Sequence, residues 1–327
     1  MKKFRRMQLH KKVYFITTRL ARRLPFVPNK YVNSILLGII ARGAQRHRGQ
    51  LTICGFVFLS NHYHLMLVTK GDPAFLPDFM NWVNGEIAKF VKKLLGLSHE
   101  KIWEKPYNDI TLLDSETALR KFVYMLANPV AANFVERAAE WYGCGTFQGS
   151  LESYTFRAKY IRPSKVVSLP SRRLKKRRLA ELVASLKLVD SAMCECRIDP
   201  LAWIQCFPNS GLDKVATKRQ ILQELTRIEA EHAARRRRHG INIPRRKDLE
   251  LRNPHAAHTP KRNGRQVFCM SSDTSLRVAF IEQYDLFCRK CSEAYQAWRR
   301  GDFSVPFPPG AFIPPNLPRA SIVNLPI

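Results

Sequence analysis

The side chains best placed to do chemistry in this chain are two imidazoles, a phenol and a carboxamide. His62 and His64 stand two apart in Ser60-Asn61-His62-Tyr63-His64-Leu65-Met66-Leu67, a run that reads as a strand. Alternate residues of a strand point to the same face, so the two imidazoles project side by side. Two imidazoles held that way suit one divalent metal, and the same spacing equally describes a pair of surface or hydrogen-bonded histidines. Tyr124 and Asn128 lie four apart in Phe122-Val123-Tyr124-Met125-Leu126-Ala127-Asn128-Pro129-Val130, so on a helix they share a face. Taken singly, a tyrosine with apolar neighbours reads as core, and an Asn before Pro reads as a helix stop.

The charge of the chain says what such a site would meet. Its 327 residues hold 55 Lys and Arg against 26 Asp and Glu, a net charge of +29. The excess is spread along the whole length: residues 1–160 carry 24 basic and 11 acidic side chains, and residues 161–327 carry 31 and 15. A protein so basic throughout binds polyanions by counterion release, and nucleic acid is the partner expected. With 45% hydrophobic residues the chain has ample material for a core, which excludes wholesale disorder. No apolar run approaches the ~18 residues a membrane helix needs, and the basic stretch 1–23 has no apolar run behind it. A protein without membrane attachment, in the cytoplasm of a bacterial cell and at the nucleoid when bound to DNA, is the expectation.

The elements that must position these groups follow from periodicity. Residues 13–19, 50–59 and 62–69 read as strands, the last two as a hairpin turning at Ser60-Asn61. Residues 30–48 and 73–97 show helical spacing of apolar residues, 101–113 looks extended, and 115–128 reads as a helix with Ser115 as its N-cap. The order β-α-β-β-α-β-α is the ferredoxin-like plan of the α+β class: an antiparallel sheet with two helices on one face, here with a mainly helical basic C-terminal extension. The expected divisions are a catalytic domain over 1–155, a basic linker over 156–178, a mainly helical region over 179–300 and a Pro-rich tail over 301–327. Helices are expected over 179–189, 214–238 and 275–300.

Taken together, Asn61-His62-Tyr63-His64-Leu65 and Tyr124-Met125-Leu126-Ala127-Asn128-Pro129-Val130 resemble the motifs of the HUH-superfamily single-tyrosine transposases, especially the REP-associated tyrosine transposases. Ile102-Trp103-Glu104-Lys105-Pro106-Tyr107 between them is similar to that family's Trp-x-x-x-Tyr strand. The resemblance covers about residues 8–150. It implies that His62 and His64 bind Mg²⁺ or Mn²⁺, that Asn128 helps ligate the metal, and that Tyr124 is the nucleophile toward a DNA phosphodiester. Tyr63 is a departure, since the residue between the histidines is usually apolar. The resemblance further implies single-stranded or hairpin DNA as substrate, a homodimer as assembly, and DNA contacts from the N-terminal region. Lys2, Lys3, Arg5, Arg6, Lys11, Lys12, Arg19 and Lys105 are the candidate DNA contacts, and Phe4, Tyr14, Trp103 and Tyr107 are candidates for stacking on bases or for core packing.

The chemistry suits those roles. A phenol with a free pKa near ~10 needs activation to attack an anionic phosphodiester, and a metal on a non-bridging oxygen neutralises charge there. The phosphotyrosine keeps the bond energy for rejoining, so no ATP is required, in keeping with a sequence that carries no G-x-x-x-x-G-K-[ST]. Two alternatives stand beside this reading: a catalytically inactive or domesticated hairpin-DNA binder, and an RNA-binding module on the same plan. The latter needs surface aromatics on the central strands and a Tyr124 remote from both histidines. Cys194-x-Cys196 with Cys206, and Cys288-x-x-Cys291 with Cys269, do not have the spacing of a standard zinc ribbon or finger.

Overall fold

Strand β3 (His62–Thr69) explains the architecture, because almost every one of its side chains is buried. Tyr63, Leu65 and Leu67 enter one core while Met66 and Val68 enter another, so apolar layers cover both faces of the sheet. The computed structural model describes residues 6–7, 9–70, 75–258 and 267–313. The sheet runs antiparallel through β4 (Asn108–Leu112), β1 (Val13–Arg19), β3 and β2 (Leu51–Leu59), with β2 and β3 joined as a hairpin. Helices α1 (Lys30–Arg46) and α2 (Phe75–Leu95) pack on one face, which is the expected ferredoxin-like arrangement in an α+β protein. Helix α3 (Ser115–Ala131) lies across the opposite face, on the side of His62, His64, Met66 and Val68.

Helix α1 is capped by Asn29, whose side chain accepts from the Val32 N–H at 3.0 Å, and it buries Tyr31, Val32, Ile35, Leu36, Ile39 and Ile40. Gly38 stands where α1 meets β5 (Tyr154–Lys159): a Cβ there would come within 2.1 Å of the Lys159 carbonyl oxygen. Backbone cannot yield as a flexible side chain does. Gly38→Ala is therefore expected to destabilise by about 1–3 kcal/mol, the range for an overpacked core. Urea unfolding reads this as a lowered midpoint at unchanged slope, and an unchanged midpoint would mean that α1 and β5 are not so closely apposed.

Two local expectations for α3 are corrected. Its N-cap is Asp114 rather than Ser115: the carboxylate accepts from the Thr117 N–H at 2.7 Å. The helix also does not stop at Asn128 but runs through Pro129 to Ala131. Proline so near a helix end removes only one late N–H bond, and the N–H groups of Ala132 and Phe134 take up the carbonyls of Asn128 and Pro129. Asn128 thereby keeps its helical place below Tyr124.

Asp114 also ties down a distant segment, accepting from the Ser271 hydroxyl and from both the N–H and hydroxyl of Ser272. Burial works to raise its pKa, yet the hydrogen bonds from Ser271, Thr117 and Ser272 outweigh it and hold the carboxyl below its usual range. The tie is complete above the unfolded carboxylate pKa of ~3.9 and is lost as pH falls through the lower folded value. Asp114→Ala should cost about 1–2 kcal/mol of stability near neutral pH, as for a lost N-cap, and the difference from wild type should shrink in acid. Thermal melts at neutral and low pH check this.

Beyond the first 150 residues the chain keeps building on the same sheet. β5 and β6 (Met193–Ile198) extend it past β2, and β7 (Cys269–Met270) adds to β4, giving seven strands. In the segment 156–178, Val166, Leu169 and Leu174 are buried against the α1–α2 core, while Arg172, Arg173 and Lys175–Arg178 are exposed. The C-terminal region is mainly helical, with α4 (Lys176–Leu188), α5 (Lys214–His239), α6 (Arg246–Glu250) and α7 (Thr274–Arg299). Helix α5 lies along α3, burying Ile221 and Leu225 in the second core. Helix α7 packs Phe280, Tyr284, Phe287 and Cys291 with Met7 and Cys269. Among the described residues no helix is long and apolar enough to cross a membrane.

Candidate active site on the α3 face

Four side chains from two elements, β3 and α3, converge where β1 ends and β3 begins. The tight turn at Ser60-Asn61 makes His62 the first residue of β3, opposite Arg19 and Leu59, while His64 lies opposite Thr17 and Val57. The two rings stand 5.1 Å apart between centroids. His64 is buried and stacks on Phe15 at 5.2 Å. From α3, the Tyr124 ring meets His64 edge-on at 5.5 Å and Phe15 at 6.1 Å. Tyr124 is 47% exposed although its helical neighbours Val123 and Met125 are core, so it stands at the mouth of the site rather than inside the protein. Asn128, one turn further on, is buried with its side-chain amide beside His62.

The hydrogen bonds orient both imidazoles. His62 Nδ1 lies 2.8 Å from Asn61 Oδ1, which only accepts, so the ring proton sits on Nδ1 and the Nε2 lone pair is free of it. His64 Nδ1 lies 2.9 Å from Thr17 Oγ1, while its Nε2 is buried without a partner, as is Asn128 Nδ2. Burial lowers the His62 pKa to about 4, with Arg19 and His258 adding to the effect and the Asn128 contact opposing it. Burial likewise holds His64 well below the usual imidazole range, helped by His62, Arg19 and Lys121. Both rings are thus neutral near pH 7, the form that ligates metal.

These residues fit a divalent cation. Two neutral imidazoles oriented by outer partners, with an orphaned Nε2 and an adjacent amide carbonyl, make a donor set with open positions. Among the described residues no group of three or more His, Cys, Asp and Glu is placed to hold a metal, so a third protein donor here would have to be a neutral one such as the Asn128 carbonyl. The set carries no negative charge and faces Arg19 and Lys121, so a cation here would gain from an anionic phosphate beside it.

Of the candidate DNA contacts, Arg19 reaches this site and exposed Lys105 lies nearby, in the bend where the Glu104 N–H bonds the Arg19 carbonyl at 2.9 Å. Lys11 and Lys12 are exposed at the other end of β1, seven or eight residues and roughly 25 Å from Arg19. Arg6 is committed to structure: it pairs with Asp109 at 3.1 Å, donates to the Tyr107 carbonyl and covers the Tyr107 ring at 3.6 Å. Lys2, Lys3, Phe4 and Arg5 lie outside the described residues. Tyr14 and Tyr107 are buried, and Trp103 is half-buried with its indole N–H donated to the Asn84 carbonyl, so all three pack rather than stack on bases. Cys194 and Cys196 are buried on β6, whereas Cys269, Cys288 and Cys291 belong to the α7 cluster.

Three members of the site were not anticipated. Lys121, one turn before Tyr124, holds its Nζ 5.2 Å from the Tyr124 ring and is half-buried, which lowers its pKa. Its i, i+3 spacing from Tyr124 was the signal available. Thr17 enters through strand pairing alone. His258 arrives from far along the chain with no local signal.

The fold and site together define an α+β protein with a phenol set over a strand-borne imidazole pair. No protein-family model matches the chain, and no curated protein matches it. Among solved structures it is similar to that of a REP-associated tyrosine transposase bound to a REP hairpin, at 17% identity and a TM-score of 0.36, over 45% of this chain and 83% of that one. A likeness this distant fixes neither family nor activity.

Proposed function

We propose that this chain cleaves and rejoins single-stranded DNA, at or beside a hairpin, through a 5′-phosphotyrosine on Tyr124. The observation that carries the reading is an exposed phenol lying 5.5 Å from one of two neutral imidazoles that share a strand face, all within one chain. Mg²⁺ or Mn²⁺ held by His62, His64 and Asn128 would supply charge neutralisation and polarisation at the scissile phosphate. Arg19 and Lys121 draw the phosphate to the phenol. Tyr124 Oη attacks phosphorus and the bond to the 3′ oxygen breaks. The phenol proton leaves to solvent at the open mouth, and the departing oxygen takes up a proton to become a 3′-OH. Attack by another strand's 3′-OH on the phosphotyrosine reverses the step and needs no ATP.

Tyr124 acts beside its own chain's imidazoles, so the homodimer implied by the resemblance is not needed to complete the site. An RNA-binding module is disfavoured, because the central-strand aromatics Tyr14, Phe15 and Tyr63 are buried. The test is incubation with labelled hairpin-bearing single-stranded DNA and Mn²⁺, followed by a denaturing gel. A shifted, protease-sensitive DNA band that chelator abolishes is expected. Tight DNA binding with no such band would leave the non-catalytic binder in its place.

A further inference from the structure

The half-buried ring of His258 bonds Asn61, 197 residues away in sequence and directly before His62. The Asn61 side-chain NH₂ can only donate, so His258 Nε2 must be the acceptor. That bond leaves Asn61 Oδ1 turned to His62, where it holds the Nδ1–H at 2.8 Å. The chain His258–Asn61–His62 thus fixes which His62 nitrogen bears the proton and which is bare. The backbone around His258 is held independently: its N–H bonds the Arg22 carbonyl at 2.6 Å, Ala257 bridges Arg23, and the His255 ring contacts the Leu169 carbonyl at 3.0 Å.

We propose that His258 is a positioning residue for the metal site, locking the Asn61 carboxamide so that His62 presents Nε2 as a ligand. The proposal rests on the reading of His62 and His64 as metal ligands. It gives the C-terminal region a part in the site: one strut of the imidazole pair is built from a segment that follows α6, outside the stretch carrying the motifs. A carboxamide freed of His258 can rotate and offer its NH₂ to His62 Nδ1 instead, which favours the other tautomer and puts the ring proton on Nε2, where it blocks ligation.

The test is Mn²⁺ binding to the full chain without DNA, followed by the loss of the free-ion electron paramagnetic resonance signal up to millimolar metal. Three variants are compared with wild type: His62→Ala, His258→Ala and His258→Gln, whose carbonyl can replace Nε2 as acceptor. His258→Ala should weaken Mn²⁺ binding about tenfold, the lower end for an outer partner, with its melting temperature close to wild type. His258→Gln should restore most of the loss, which a merely structural contact would not explain. Unchanged affinity in His258→Ala, or equal loss in the Ala and Gln variants, overturns the positioning role while leaving the metal site intact. Should wild type and His62→Ala be alike in binding no Mn²⁺, the metal reading itself fails and the positioning role with it.

Discussion

Tyr124→Phe should fold, bind hairpin DNA with wild-type affinity and form no covalent adduct. Removing the only atom that attacks phosphorus is expected to cost on the order of 10⁴-fold or more in cleavage, as deletion of a nucleophile does elsewhere. The ring itself stays: Phe keeps the edge-on contacts with His64 and Phe15, and the lost hydroxyl belongs to a side chain that is 47% exposed. Stability should therefore move by no more than about 0.5 kcal/mol. Adduct yield on denaturing gels, DNA affinity by anisotropy and a thermal melt separate these effects. Adduct formation at the wild-type rate would remove Tyr124 from the mechanism.

Replacing either histidine should be nearly as damaging, by a different route. His62→Ala and His64→Ala each remove an imidazole donor from a set that has no carboxylate to compensate. Metal affinity and metal-dependent cleavage should fall by more than about 100-fold, beyond what an outer partner costs. The two variants should differ in stability. His64 is buried and stacks on Phe15, so its loss opens a cavity, whereas half-buried His62 leaves a smaller one. Added Mn²⁺ at high concentration should partly restore cleavage in both. A His62→Ala protein with wild-type metal affinity and cleavage would show that the pair is not the ligand set.

The sequence carried the core of this site because its signals are local. Period-two spacing set His62 and His64 on one face, period-3.6 spacing set Tyr124 above Asn128, and long apolar runs marked β1 to β3 and α1 to α3. What brings the strand to the helix is not local. Phe15 and Thr17 reach His64 through β1–β3 pairing, and the placement of α3 opposite α1 and α2 depends on the sheet being buried on both sides. Asp114 caps α3 through a local bond from the Thr117 N–H, and what the sequence does not show is its tie to Ser271 and Ser272, more than 150 positions away. Pro129 reads as a stop because proline usually is one, but so near the helix end it costs a single bond. Strands β5 to β7 join at the sheet edges with short or mixed sequences such as Tyr-Thr-Phe-Arg-Ala-Lys, which lack a clean alternation. His258 had no neighbour in sequence to betray it.

The proposed covalent bond from Tyr124 to DNA is directly accessible through trypsin. Cleavage after Lys121 and Arg137 yields a peptide spanning residues 122–137 in which Tyr124 is the single tyrosine. After reaction with hairpin DNA and Mn²⁺ and digestion with trypsin and nuclease, mass spectrometry should find that peptide carrying a nucleotide through a phosphotyrosine linkage. A nucleotide on any other tryptic peptide, or none under conditions where DNA is cut, would contradict it.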